Sequence, residues 1–213
     1  MPDLNTLTLF AAASALLIVM PGPAVIYIVA RSVEHGRDAG LVSMLGVEAG
    51  NLTHGLAAAA GISALLASSA AAFSVVKFAG AAYLIYLGIR ALTHSGRPRV
   101  EAQEREGASR RSLFLWGYLV ELLNPKTALF FLAFLPQFVD PAQGSVALQI
   151  MVLSLSFTTI GVVSDGAYAL LGGAAGQRLR AIWRRRGISR ASGCIYIGLG
   201  VTAALSHGRP ERH

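Results

Sequence analysis

The sequence is poor in cysteine, in lysine and in charge of either sign. One cysteine in 213 residues, Cys194, excludes an intramolecular disulfide and any multi-cysteine metal site, and its apolar surroundings assign it to packing. Lysine occurs only at Lys77 and Lys126, so arginine supplies 16 of the 18 basic residues. Charged residues make up 14% of the chain against 54% hydrophobic, and the mean hydropathy is +0.57. That is more apolar surface than a soluble core of this length can hide, which makes lipid the expected solvent. A phosphate-binding P-loop is also missing, so this chain does not itself hydrolyse ATP. HExxH and G-x-S-x-G are missing as well, and His54 has no nucleophile at a fixed offset, which leaves a rival reading as an intramembrane enzyme without its parts. No cofactor and no metal are expected. The start, Met1-Pro2-Asp3-Leu4, lacks the basic segment of a signal peptide and is expected to be retained within a span.

What is present is a series of apolar segments, at about 7–30, 39–66, 70–92, 113–138, 146–171 and 191–205. Five reach the roughly 20 residues that cross about 30 Å of hydrocarbon, and the last is short. The fold class expected is an all-α integral membrane protein of about six transmembrane helices. The net charge of +7 does not indicate nucleic-acid binding, because the arginines fall between spans without interleaved aromatics. Under six spans, 14 basic residues lie on one side and 3 on the other, which makes the first side cytoplasmic and places both termini outside. Residues 94–112, with Ser95, Gly96 and Pro98 among mixed charges, read as a cytoplasmic linker between halves 1–93 and 113–207 of a single transporter domain. Each half has three spans, so halves of common origin insert upside down relative to one another.

Two interruptions occupy corresponding places. Pro21-Gly22-Pro23 breaks the first span of one half and Asn124-Pro125-Lys126 the first span of the other. Proline removes a backbone donor and clashes with the preceding turn, so each span is expected to kink and free carbonyls. Such backbone is tolerated in lipid only against protein or a cavity, and both motifs are therefore candidates for solute binding, with a plain packing kink as the alternative. Asn124 falls about 16 Å into its span, near the midplane. Lys126 has three candidate partners: a solute carboxylate, a buried carboxylate on another helix, or the broken helix itself. Glu48, Glu121 and Asp165 are buried-carboxylate candidates, either exchanging protons or held in static pairs. Glu48, Asn51 and His54 share one helix face, and Asp165 lies one turn from Tyr168. Gly80, Tyr83 and Gly88 align as a helix-packing seam, and Lys77 reads as an interface anchor.

Three blocks carry a resemblance: Pro21-Gly22-Pro23, then Lys77-x-x-Gly80-Ala81-x-Tyr83-Leu84 with Gly88, then Asn124-Pro125-Lys126 followed by Phe130-Phe131 and Phe134-Leu135-Pro136-Gln137-Phe138. In this order and spacing the chain resembles the LysE/RhtB family of bacterial amino-acid exporters, and Asp165 with Tyr168 is similar to an acidic and aromatic pair of that family. Glu48 departs from the small or apolar residue expected there. The resemblance implies an inner-membrane exporter of amino acids or close derivatives such as threonine, homoserine or its lactone, driven by the proton gradient. The partners expected are such a solute and the lipid bilayer, with a homo-oligomer left open. A channel or scaffold is the remaining rival.

Overall fold

The computed structural model describes residues 2–68, 70–93, 109–183, 194–195, 197–201 and 204–205. These residues are helical with short connections and contain no strand. Helix α1 (Leu4–Val19) starts on Asp3, whose carboxylate accepts from Thr6 N at 2.7 Å. The chain then breaks at Met20 to Gly22 and restarts as α2 (Pro23–His35), with Pro23 at the first helical position, where its missing N–H costs nothing. Gly36, at φ +88°, is the whole connection to α3 (Arg37–Ser68), and a positive φ suits glycine. Helix α4 is Ala70–Thr93. Ser109 caps α5 (Arg110–Leu122), a second break follows at Leu123 and Asn124, and α6 (Pro125–Leu129) continues as a π turn (Phe130–Phe134) and a 3-10 turn (Leu135–Phe138). A 3-10 turn at Pro141–Gln143 leads to α7 (Val146–Trp183). The residues described beyond 193 are helical fragments.

Two boundaries differ from those expected. Arg31 is not in a loop but inside α2, buried, with Nη2 3.1 Å from Glu34 Oε2 and the guanidinium over the Tyr27 ring. This i,i+3 ion pair lies in the last turns of that helix, and Gly36 alone makes the turn that follows. Arg178 and Arg180, expected outside the span, lie on the continuous helix α7. Residues 94–108, most of the proposed linker, lie outside the described residues; Ser109 to Ser112 already belong to the start of α5.

Among the described residues, Val146–Gly172 is one helix long and apolar enough to cross a membrane by itself. There are three spans if each broken pair counts as one, α1 with α2 at 53° and α5 with the helix ending at Phe138 at 45°. The arrangement is inside-out in polarity. Ser14, Ser32, Glu48, Asn51, Glu121, Asn124, Gln149 and Asp165 are buried, while Leu9, Leu16, Leu45, Leu56, Trp116, Leu155, Val163 and Leu171 are exposed. That is the distribution expected when the outer solvent is hydrocarbon.

Helix α3 is the hub and packs backbone to backbone. A Cβ on Gly46 would overlap the Phe114 carbonyl oxygen of α5, and one on Gly117 would overlap that of Ser43. Against α7, Gly40 meets Ala169, Glu48 meets Gly161, and Gly55 meets Ser154, so residue numbers rise on one helix as they fall on the other. Helices α3 and α7 are therefore antiparallel. A ring cluster fills one end of the bundle: Phe10, Phe130, Phe131, Phe134 and Phe157 are buried with centroids 5.0 to 6.2 Å apart along the π turn. On α4 the described close contact is Gly200 against Ala81 and Ile85. Gly88 is buried, Tyr83 packs its ring on Tyr86, and the surroundings of Gly80 and the side chain of Lys77 lie outside the described residues.

Candidate functional site

Each break ends a helix and leaves its last carbonyls without helical donors, and a distant side chain supplies one. Pro23 cannot donate to Val19 O; the Tyr168 hydroxyl of α7 does so at 2.7 Å. The next carbonyl, Met20 O, accepts from Lys126 Nζ at 3.1 Å. Pro125 cannot donate to Glu121 O; His54 Nε2 of α3 bonds it at 3.0 Å, which requires the Nε2–H tautomer, and Asn124 N adds a second bond at 2.9 Å. The His54 ring also stacks on Phe131. An unsatisfied carbonyl in hydrocarbon costs several kcal/mol, so these contacts allow both spans to bend where they do.

The two breaks meet at one cavity. Gly22, Asn124, Lys126 and Thr127 line it from the breaks, Glu121 from α5, Val47 and Asn51 from α3, and Phe157 and Asp165 from α7. Its volume is about 20 Å³, room for little more than one water-sized sphere and far short of an amino acid. The conformation is therefore closed, and a solute enters only if the walls move.

The polar groups here hold one another in a defined way. Asn124 is fully engaged: its Nδ2 donates to Glu121 Oε2 at 2.9 Å and to Thr127 Oγ1 at 3.2 Å, and its Oδ1 accepts from Lys126 N as the cap of α6. Asn51 repeats part of this pattern one helix away, Nδ2 donating to Glu48 Oε2 at 2.9 Å. Glu48 Oε1, Asn51 Oδ1 and Asp165 Oδ1 have no hydrogen-bond partner among the described residues. The ammonium of Lys126 does not cap its own broken helix but bonds Met20 O at the break of the other span, and among the described residues no carboxylate lies within 4 Å of it.

Of the residues singled out from sequence, Gly22, Asn51, Asn124, Lys126, Glu121 and Asp165 come together around the cavity, from segments up to 143 positions apart in the chain. Pro21, Pro23 and Pro125 do not line it, and they act through the backbone they interrupt. Glu48 stands behind Asn51 and against Gly161. The readings from sequence assigned no role in the site to Thr127 or to the π turn, and gave His54 and Tyr168 no carbonyl to receive. A repeated Glu-x-x-Asn, at Glu48 to Asn51 and Glu121 to Asn124, was the available signal for Asn51.

Comparison with known proteins bears on this geometry. The family described as LysE type translocator matches residues 15–207. An uncharacterised membrane protein of Pseudomonas aeruginosa is 33% identical over 89% of this chain and 92% of its own length. A homoserine/homoserine lactone efflux protein of Salmonella typhimurium is 30% identical over 90% of this chain and 92% of its own. A leucine efflux protein of the same organism is 30% identical over 70% and 68%. No solved structure matches.

Proposed function

The chain belongs to the LysE-type translocator family, and on that membership we propose that it is a secondary transporter exporting amino acids or close derivatives across the bacterial inner membrane. The observation that carries the reading is the cavity where both broken helices meet, with a lysine ammonium and carboxylates on its walls. Relatives named for homoserine, homoserine lactone and leucine efflux indicate small solutes with an amino group and an uncharged side chain. The cavity suits that class, because Ile18, Val25, Val47 and Phe157 supply apolar wall beside the polar groups.

In this reading Lys126 and the N-terminus of α2, whose first turn contributes Ala24 and Val25, receive the solute carboxylate. Glu121 and Asp165 are the groups through which a proton gradient acts, since neither has a cation within ion-pair distance among the described residues. Six spans in two inverted halves, with both termini outside, fit the exchange of contacts. The break in the first half is received by α6 and α7 of the second, and that in the second by α3 of the first.

Overproduction in bacteria tests the function. It is expected to raise tolerance to a toxic excess of an exported amino acid or analogue and to lower its cytoplasmic pool. Unchanged efflux across a panel of amino acids and lactones, with the protein shown to be membrane-inserted, would contradict the reading.

A further inference from the structure

Resting on the exporter reading, we infer that Asn51 and Asp165 form the subsite for the solute's ammonium group, with Glu48 as the positioning residue that turns Asn51 toward it. The inference starts from unused acceptors. Asn51 Oδ1 and Asp165 Oδ1 lie on cavity-lining residues only 4% exposed, and neither has a hydrogen-bond partner among the described residues. Buried acceptors without donors are costly, and the group that relieves them brings N–H or O–H.

The two converge by helix geometry. Side chains lean toward the N-terminus of their own helix, and α3 and α7 are antiparallel. Asn51 leans down α3 toward the level of Glu48, while Asp165 leans down α7 toward Gly161, which faces Glu48. The carboxamide is oriented by Glu48: once Oε2 takes Nδ2 at 2.9 Å, the carbonyl end is the one left over. The Glu48 carboxylate lies against Gly161, in space that a side chain there would fill, since a Cβ on Gly161 would stand 2.6 Å from its Oε1.

Charge selects the donor. Glu121 and Asp165 stand on the cavity wall with Glu48 behind Asn51, and the one lysine on that wall donates to Met20 O. A cationic donor is favoured over a hydroxyl in such surroundings, and a primary ammonium offers three N–H groups. The site then has two poles, donors at the helix breaks and acceptors on α3 and α7. This matches a zwitterion, and also an amino lactone, which needs only the second pole.

Counterflow in reconstituted vesicles tests this, with an exported amino acid, its amino lactone and the corresponding α-hydroxy acid as competitors. Asn51→Leu is expected to weaken the amino acid and the lactone alike, by about tenfold or more, and to leave the hydroxy acid unchanged. Glu48→Leu is expected to follow it in part, while Glu48→Gln, which keeps an oxygen for Asn51 Nδ2, retains more affinity than Glu48→Leu. Should Asn51→Leu not fold, the exchange Glu48→Gln with Asn51→Asp preserves both the internal hydrogen bond and an acceptor, and is expected to hold amine affinity within a few fold. A folded Asn51→Leu protein with wild-type amine affinity would overturn the subsite, as would an equal loss for the hydroxy acid or a folded exchange variant that no longer binds amines. In those cases exchange by the wild type leaves the exporter reading standing. Wild-type vesicles that exchange no amino-bearing solute would overturn both.

Discussion

At the residue scale, each helix break leaves carbonyl vacancies that distant side chains fill. Tyr168 and His54 each serve a carbonyl whose helical donor was removed, whereas Tyr27 donates at 3.0 Å to Leu113 O, inside the unbroken helix α5. Tyr168→Phe is therefore expected to lower stability by about 1–3 kcal/mol, and His54→Phe, which keeps a ring against Phe131 and leaves Glu121 O its bond from Asn124 N, is expected to cost less. Tyr27→Phe is likewise expected to cost less, because Leu113 O retains its intrahelical donor. Thermal unfolding in detergent checks the order, and equal losses for all three would contradict it. The vacancies were legible in sequence, since a proline names the carbonyl four residues before it. Their recipients were not, because Tyr168 lies 149 positions from Val19 and only the fold brings them together.

At the scale of elements, the polar half of the bundle is held by glycines that let α3 touch its neighbours backbone to backbone. Gly46→Ala and Gly117→Ala each place a methyl group on a main-chain carbonyl that cannot give way. Each is expected to cost about 1–3 kcal/mol or more and to reduce the fraction of protein extracted as a single species. Gly166→Ala is the contrast: its Cβ would meet only Met44 Cε at 3.8 Å, an ordinary contact, and little change is expected. The sequence showed where helices were interrupted and roughly how long they ran. It did not show the π turn at Phe130–Phe134, nor the seam, because a glycine in a helix does not announce which neighbour approaches it.

At the scale of the molecule, the outward aliphatic face and the buried polar interior follow from the same composition that first indicated lipid. The arginine asymmetry then makes an orientation testable. A reporter active only outside the cytoplasm is expected to work when fused after His213 and to fail when inserted near Arg99. A cytoplasmic C-terminus would remove either a span or the orientation. The candidate site was legible as two corresponding breaks with polar residues in or beside them. It was not legible which polar groups were already engaged: Asn124 is held by Glu121 and Thr127, while Asn51 Oδ1 has no hydrogen-bond partner among the described residues. The most direct measurement is therefore made at Lys126, the cation shared by the two breaks. In vesicles, with Lys126→Leu verified as folded, apparent affinity is determined for an amino acid and for its lactone. If the cavity binds solute as described, affinity for the carboxylate-bearing solute falls by roughly tenfold to a hundredfold while that for the lactone changes little. Wild-type affinity for both, or an equal loss for both, would mean that Lys126 only ties Met20 in place and that the solute binds elsewhere.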